Sequence, residues 1–369
     1  MSTIWLLFAV VSIGSSYFVT RNIKPRLFTA VLVVSLSLMI GFCGLTLQDH
    51  ASYEFYYESY SGWSINQIFN SETSFFAISG ERVSNFEIGY IFLNILGNMI
   101  GLGPAGFFTM IALIVNTLMI SVFKRFKYPV IAVLIYIGTS YFSQQANLVR
   151  QMLAVSVILY ALLFIESKKW KHYLLLVFLA SLIHTSAIIF SLLALFTLVN
   201  NDRQYNMIRR TLFGIWLISL LFGLKVLHVN FMQYIPFIGY YSSYSADINS
   251  IGANNDFDIK YNILVLFLFY LSNRTNYRQL YLSLFFIGGI LLNLAVSTPN
   301  IYRIGLYLAP LYCVFIPESI QMCSGVGGKN LKFIPYMLVI LYVVLLIMII
   351  VNSSSQLGQQ MYNINRFLK

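Results

Sequence analysis

Apolar runs recur from residue 4 to residue 351, and most are closed by a short cluster of lysine and arginine. That alternation constrains the fold more than any other feature. The chain is 59% hydrophobic and 9% charged, whereas a soluble domain carries about 25% charged residues. Mean hydropathy is +0.76. Within a bilayer the backbone N–H and C=O groups must be satisfied by the protein itself, which helices do. The expected fold class is therefore all-α, a polytopic membrane protein built as a single integral membrane domain over residues 1–369. No repeat or low-complexity linker divides it.

The apolar runs predict segments over residues 4–19, 27–47, 104–123, 129–142, 148–165, 211–229, 261–272, 279–296, 301–316 and 333–351. The run 89–101 is shorter and reaches about 20 Å as a helix, against a hydrocarbon core of roughly 30 Å. It predicts a re-entrant or interfacial helix. The run 173–199 is too long for one simple span. It predicts a helix that breaks near residues 184–186 and returns, a broken pair that brings the chain to about 11–12 membrane segments. Basic clusters flank both its ends, and only a returning pair keeps them on one side. Polar stretches at 48–88 and 230–260 are expected as two long external loops.

The resulting topology places 16 of the 23 basic residues inside, against three of the 12 acids. That is the positive-inside pattern, and it accounts for the net charge of +11 without a nucleic-acid partner. The partner it implies is the lipid bilayer. The first basic residues follow the first apolar run, so no cleavable signal peptide is expected. Cys43, Cys313 and Cys323 form no metal-like or CxxC spacing and read as small hydrophobes. No metal or cofactor is expected. The chain holds no GxxxxGK[ST], HExxH or GxSxG, so a nucleotide-driven motor and the familiar hydrolases lack support.

Ionisable side chains in or beside apolar segments carry the functional expectation, because they are costly at membrane depth. Arg150 stands at the external end of a segment beside Gln144, Gln145, Asn147 and Gln151. Arg303 opens a later span, and Lys225 lies near the external end of another. Arginine suits phosphate and carboxylate, and the competing account is snorkelling to lipid headgroups. His184 lies at the expected break, where Thr185 and Ser186 can satisfy freed backbone groups. Glu87 directly precedes the short helix; it can act as a base, hold a cation, or favour a helix N-terminus. Tyrosines and Trp63 crowd the first polar stretch, where they suit either sugar faces or the membrane interface.

In order and placement these residues resemble the EpsG-type, Wzy-like membrane polymerases of bacterial O-antigen, capsule and exopolysaccharide. Asp49 and Tyr53 match an external aspartate followed by tyrosine. Glu87, Gly89 and Tyr90 match an E-x-G-Y helix start, and Arg150, Gln151 and Ala154 match R-Q-x-x-A. His184 and Ser186 match H-x-S after a basic loop, and Arg303 and Tyr307 match a late R-x-x-x-Y. Where the family often carries an arginine before the loop aspartate, this chain has Cys43.

The resemblance implies a glycosyltransferase in the bacterial inner membrane. Its substrate would be an undecaprenyl-pyrophosphate-linked oligosaccharide, polymerised at the periplasmic face. His184 or Glu87 would be catalytic. Arg150, Arg303, Asp49, Tyr53, Tyr90, Gln151, Ser186 and Tyr307 would bind substrate. Flippase and chain-length regulator proteins would be partners. Three other classes compete: a flippase for the same lipid-linked oligosaccharide, another envelope glycosyltransferase or acyltransferase, and a non-catalytic assembly subunit.

Overall fold

The computed structural model describes residues 2–41, 48–70, 86–226, 258–272, 279–297 and 299–325, with Met337, Ile340 and Val344. Every regular element among them is helical, and the chain is an all-α polytopic membrane protein. Among the described residues, three helices are long and apolar enough to cross a membrane by length and composition: Pro104–Phe123, Val149–Glu166 and Gln279–Val296. Packing divides the chain into two compact units, Met1–Leu192 with Tyr336–Lys369, and Leu193–Pro335.

The first unit opens with α1 (Ser2–Thr20) and α2 (Pro25–Gly41), which pack on each other. Next come α3 (Gln48–Ser59), α4 (Ile65–Asn70), α5 (Ile88–Met99), α6 (Pro104–Phe123), α7 (Pro129–Gly138), α8 (Ser140–Asn147), α9 (Val149–Glu166) and α10 (Trp170–Ile183). Pro104 and Pro129 stand in the first turns of α6 and α7, where a missing N–H costs no intrahelical bond. The row α2, α6, α9, α10 packs in sequence, and α5 lies against α10. Polar side chains tie the core together. Asn116 donates to Ser37 Oγ at 3.1 Å, and Gln145 donates to Asn116 Oδ1 at 3.1 Å and to the Tyr136 hydroxyl at 2.8 Å. Such bonds hold helices together where the hydrophobic effect between them is weak.

The run 173–199 breaks where the sequence places the break. His184 is extended (φ −150°, ψ 113°) and closes α10 by donating its N–H to Ala180 O at 2.9 Å. Beyond it Thr185–Leu198 is a 3-10 helix. Its buried positions step by three, through His184, Ala187, Phe190 and Leu193, as a threefold helix requires. Fourteen residues of 3-10 helix extend about 28 Å, against about 21 Å for the fourteen of α10. The chain doubles back at the break, because the Tyr173 hydroxyl donates to Phe190 O at 2.6 Å across 17 residues of sequence. The outward side carries Leu175, Phe178, Ile188, Ile189 and Leu192, all exposed and apolar, as a lipid-facing surface would be.

Several expectations need correction. The stretch 48–88 is not simply a loop: α3 and α4 occupy much of its described part. His50, Tyr53, Tyr57 and Tyr60 fall on one face of α3 and its end, and all four are buried. His50 Nδ1 lies 2.9 Å from Ala146 O, and the Tyr57 hydroxyl donates to Leu102 O at 2.6 Å. Burial pushes the Tyr57 phenol up to about 12. The expected segment 129–142 ends at Gly138, where Thr139 is extended and α8 begins. Much of the expected loop 230–260, Cys43 and the last span, 333–351, lie outside the described residues apart from three positions in that span.

The second unit contains α11 (Asp202–Gly223), α12 (Ile259–Ser272), α13 (Gln279–Ser297), α14 (Pro299–Gly305) and α15 (Leu311–Gly325). Asn201 caps α11 by accepting from Gln204 N at 2.9 Å. The Trp216 indole donates to Asn262 at 2.8 Å, Asn262 to Asn293 at 2.8 Å, and Asn293 to Ser219 at 2.9 Å, which links α11, α12 and α13. The expected single segment 301–316 is interrupted by a turn at 306–310. Pro310 has no N–H to continue α14 and instead precedes the start of α15.

Candidate functional site

Glu87 is the N-cap residue of α5, with extended backbone (φ −70°, ψ 147°) and its carbonyl accepting from Tyr90 and Ile91. Its side chain makes no capping bond to its own helix. It turns instead to the break between α10 and the 3-10 helix. There Oε1 accepts from Thr185 N at 3.0 Å, from Thr185 Oγ1 at 3.2 Å and from His184 Nδ1 at 3.2 Å. The other oxygen, Oε2, accepts from Arg150 Nη1 in the first turn of α9. One carboxylate thus joins three elements that sequence separates by 63 and 98 residues.

All three side chains are largely withdrawn from solvent, at 19% exposed for Arg150, 10% for Glu87 and 8% for His184. Burial works to raise the Glu87 carboxyl. The His184 hydrogen bond, the Arg150 charge and the Thr185 N–H outweigh it and hold the group at about 2. Glu87 is therefore ionised at neutral pH, with both oxygens engaged by donors. An ionised carboxylate only accepts, so His184 Nδ1 carries the hydrogen on this bond. In the neutral ring the lone pair is then on Nε2, and no described residue hydrogen-bonds to that atom.

Aromatic rings complete the setting. The Arg150 guanidinium lies 4.2 Å from the centre of Phe86 and 5.9 Å from that of Tyr53. Tyr53 stacks on Phe86 at 5.5 Å, and Tyr90 meets both edge-on. Tyr56 packs edge-on to Phe86 at 4.7 Å. The guanidinium is thus held between the Phe86 ring, the Glu87 carboxylate and the Tyr53 hydroxyl.

The structure thus brings together Glu87, Arg150, His184, Tyr53 and Tyr90. Tyr90 is fully buried, Gln151 is buried beside Arg150 in sequence, and Ser186 is half-buried in the first turn after the break. Asp49 is on α3, and its side chain lies outside the described residues. Arg303 on α14 and Tyr307 in the following turn belong to the second unit. Two residues of the cluster are not among the site residues expected from the sequence, although Thr185 stands at the expected break. Phe86 supplies the ring under Arg150, and Thr185 supplies two of the donors to Glu87. Both adjoin a candidate in sequence, which was the only signal available. Among the described residues no three of histidine, cysteine, aspartate and glutamate gather as a metal-ligand set.

The family model described as the EpsG family matches residues 26–365, nearly the whole chain. No curated protein and no solved structure matches it.

Proposed function

The chain belongs to the EpsG family of polysaccharide polymerases, and on that premise we propose that it extends a glycan from lipid-linked repeat units. The growing chain is carried on undecaprenyl pyrophosphate, and the acceptor is a sugar hydroxyl of an incoming lipid-linked repeat. The observation that supports this reading is the single carboxylate of Glu87, holding Arg150 by one oxygen and His184 by the other.

The division of labour follows from that geometry. Arg150 stays against Phe86, Tyr53 and Glu87, and the donors these leave open bind a pyrophosphate oxygen. His184 presents Nε2, the atom that carries the lone pair, to the acceptor hydroxyl. The hydroxyl oxygen attacks the anomeric carbon while its proton passes to Nε2. The bond from that carbon to the phosphate oxygen breaks, and pyrophosphate leaves with the electron pair. Arg150 stabilises the charge that develops there. Glu87 fixes the imidazole tautomer and stabilises the imidazolium, as an orienting carboxylate does beside a histidine base. Saturated by donors and held ionised, it is the anchor rather than the base. Arg303, Tyr307, Gln151, Ser186 and Asp49 are assigned to substrate binding on the family resemblance.

The deciding experiment incubates purified protein with a defined lipid-pyrophosphate oligosaccharide. A ladder of products differing by one repeat is expected. Movement of the intact lipid across a vesicle membrane without bond formation would make the protein a flippase.

The same reading places the site at the periplasmic face of the inner membrane, and that has its own test. Cysteines introduced singly at Ser61 and Ser250 should both react with an impermeant thiol reagent in cells with a permeabilised outer membrane. Labelling at only one of them would overturn the topology.

A further inference from the structure

We propose that Gly89 is a positioning residue: its missing side chain lets the start of α5 lie against the last turn of α10, and this seats Glu87 on the break at His184. The proposal rests on the reading of Glu87 and His184 above. It goes further by assigning the placement of that carboxylate to a backbone contact two residues away.

A Cβ built at Gly89 would meet Leu182 O at 2.7 Å, Leu182 C at 2.9 Å and Leu182 Cβ at 3.0 Å. Ordinary contact begins at 3.4 Å, and two of these three atoms are backbone that cannot rotate aside. Leu182 lies in the last turn of α10, directly before the break, and its carbonyl is among those a helix end leaves without an intrahelical partner. The Gly89 Cα–H can approach that oxygen as helices do at close crossings. Glu87 is two residues before Gly89 and His184 two residues after Leu182, so this crossing sets the separation of carboxylate and imidazole.

Any side chain at 89 must push α5 off α10 by roughly 0.7 Å, the gap between 2.7 and 3.4 Å. The Glu87 bonds to Thr185 and His184 are already 3.0–3.2 Å long, so that displacement takes them past hydrogen-bond range. A misplacement of about 1 Å can cost on the order of 10²-fold in rate.

The first arm of the test does not depend on the reaction. In a chain with Cys43, Cys313 and Cys323 replaced by serine, Gly89→Cys and Leu182→Cys are combined and the membranes oxidised with copper phenanthroline. The displacement that the clash demands brings the two Cβ atoms into the 3.5–4.5 Å range of a disulfide. A cross-linked peptide pair in the mass spectrum is expected, and its absence overturns the proposal whatever the enzyme does.

The second arm is a cycle on single-turnover rates. Gly89→Ala should slow the rate about 10²-fold with binding of the lipid-linked donor unchanged. If it acts through Glu87, then adding it to Glu87→Gln should cost less than about threefold more. Costs that multiply, or a Gly89→Ala rate within about threefold of the unaltered protein, overturn the proposal. Gly106→Ala, whose Cβ meets only the Leu102 side chain at 3.4 Å, is the neutral control. Loss of the cross-link and loss of the ladder are separate results. If the unaltered protein makes no polymer yet cross-links, the assigned reaction is wrong and the crossing at Gly89 stands as packing alone.

Discussion

Replacing His184 with glutamine should slow the single-turnover rate by about 10²–10⁴-fold, the usual cost of losing a general base. Glutamine keeps a donor that can reach Glu87, so the break between α10 and the 3-10 helix stays tied and the protein inserts. What it lacks is a nitrogen lone pair able to take up a proton. Loss of one neutral hydrogen bond costs about 0.5–1.5 kcal/mol, roughly tenfold or less. The two accounts therefore differ by at least an order of magnitude. Rates should be measured on a defined lipid-pyrophosphate oligosaccharide, with binding of the same lipid measured separately. A rate within tenfold of the unaltered protein would reduce His184 to a positioning group. Glu87→Gln tests the partner: it preserves shape but can no longer fix the imidazole tautomer, so it should slow the reaction while donor binding persists.

The architecture was legible because it follows from the solvent. Apolar runs closed by lysine and arginine leave helices as the available solution, and α6 matches its run residue for residue. The break at His184 was legible for a second reason. A run of 27 residues is too long for one simple span, and His-Thr-Ser sits within it. The 3-10 geometry beyond the break is not marked in the sequence, because the buried period of three through His184, Ala187, Phe190 and Leu193 lies within a continuously apolar run. The helix α3 is hard to see in the sequence because Gln48–Ser59 is polar overall, and polarity predicts a loop. Its buried stripe is made of tyrosines and a histidine, residues that hide an apolar face behind a polar tip.

The site was legible one residue at a time and not as an assembly. Arg150, His184 and Glu87 each stood out as an ionisable group beside apolar sequence. Nothing in their spacing shows that one carboxylate serves both of the others, because the link depends on how α5 crosses α10. That crossing is decided by the absence of an atom at Gly89, which composition and periodicity do not register. The choice between His184 and Glu87 as base is not legible in the sequence for the same reason. It turns on how many donors surround Glu87, and two of those come from Thr185, which the sequence offered only as a neighbour of the break.

Arg150→Ala should abolish polymer formation in a protein that still inserts, and Arg150→Lys should restore little of it. An ammonium can neutralise Glu87, but it lacks the planar fork that donates to two partners at once beside Phe86. Removing the arginine also has a structural consequence, since Glu87 is buried and loses the partner of Oε2. Breaking a buried pair by deleting one member costs about 3–5 kcal/mol, largely through the charge left behind. A dead Arg150→Ala protein would therefore not by itself separate pyrophosphate binding from support of Glu87. The double variant Arg150→Ala, Glu87→Gln does separate them, because it removes the stranded charge together with its cause. If Arg150 serves only to neutralise Glu87, the double variant should be as stable as the unaltered protein and as active as Glu87→Gln alone. If Arg150 holds the leaving pyrophosphate, the double variant should recover stability and remain inactive. A lost donor to a developing negative charge typically costs about 10²–10³-fold. Thermal unfolding in detergent and the single-turnover rate, measured on the same four proteins, give both readings. Recovery of the rate along with the stability would leave Arg150 a structural counter-ion and remove it from the reaction.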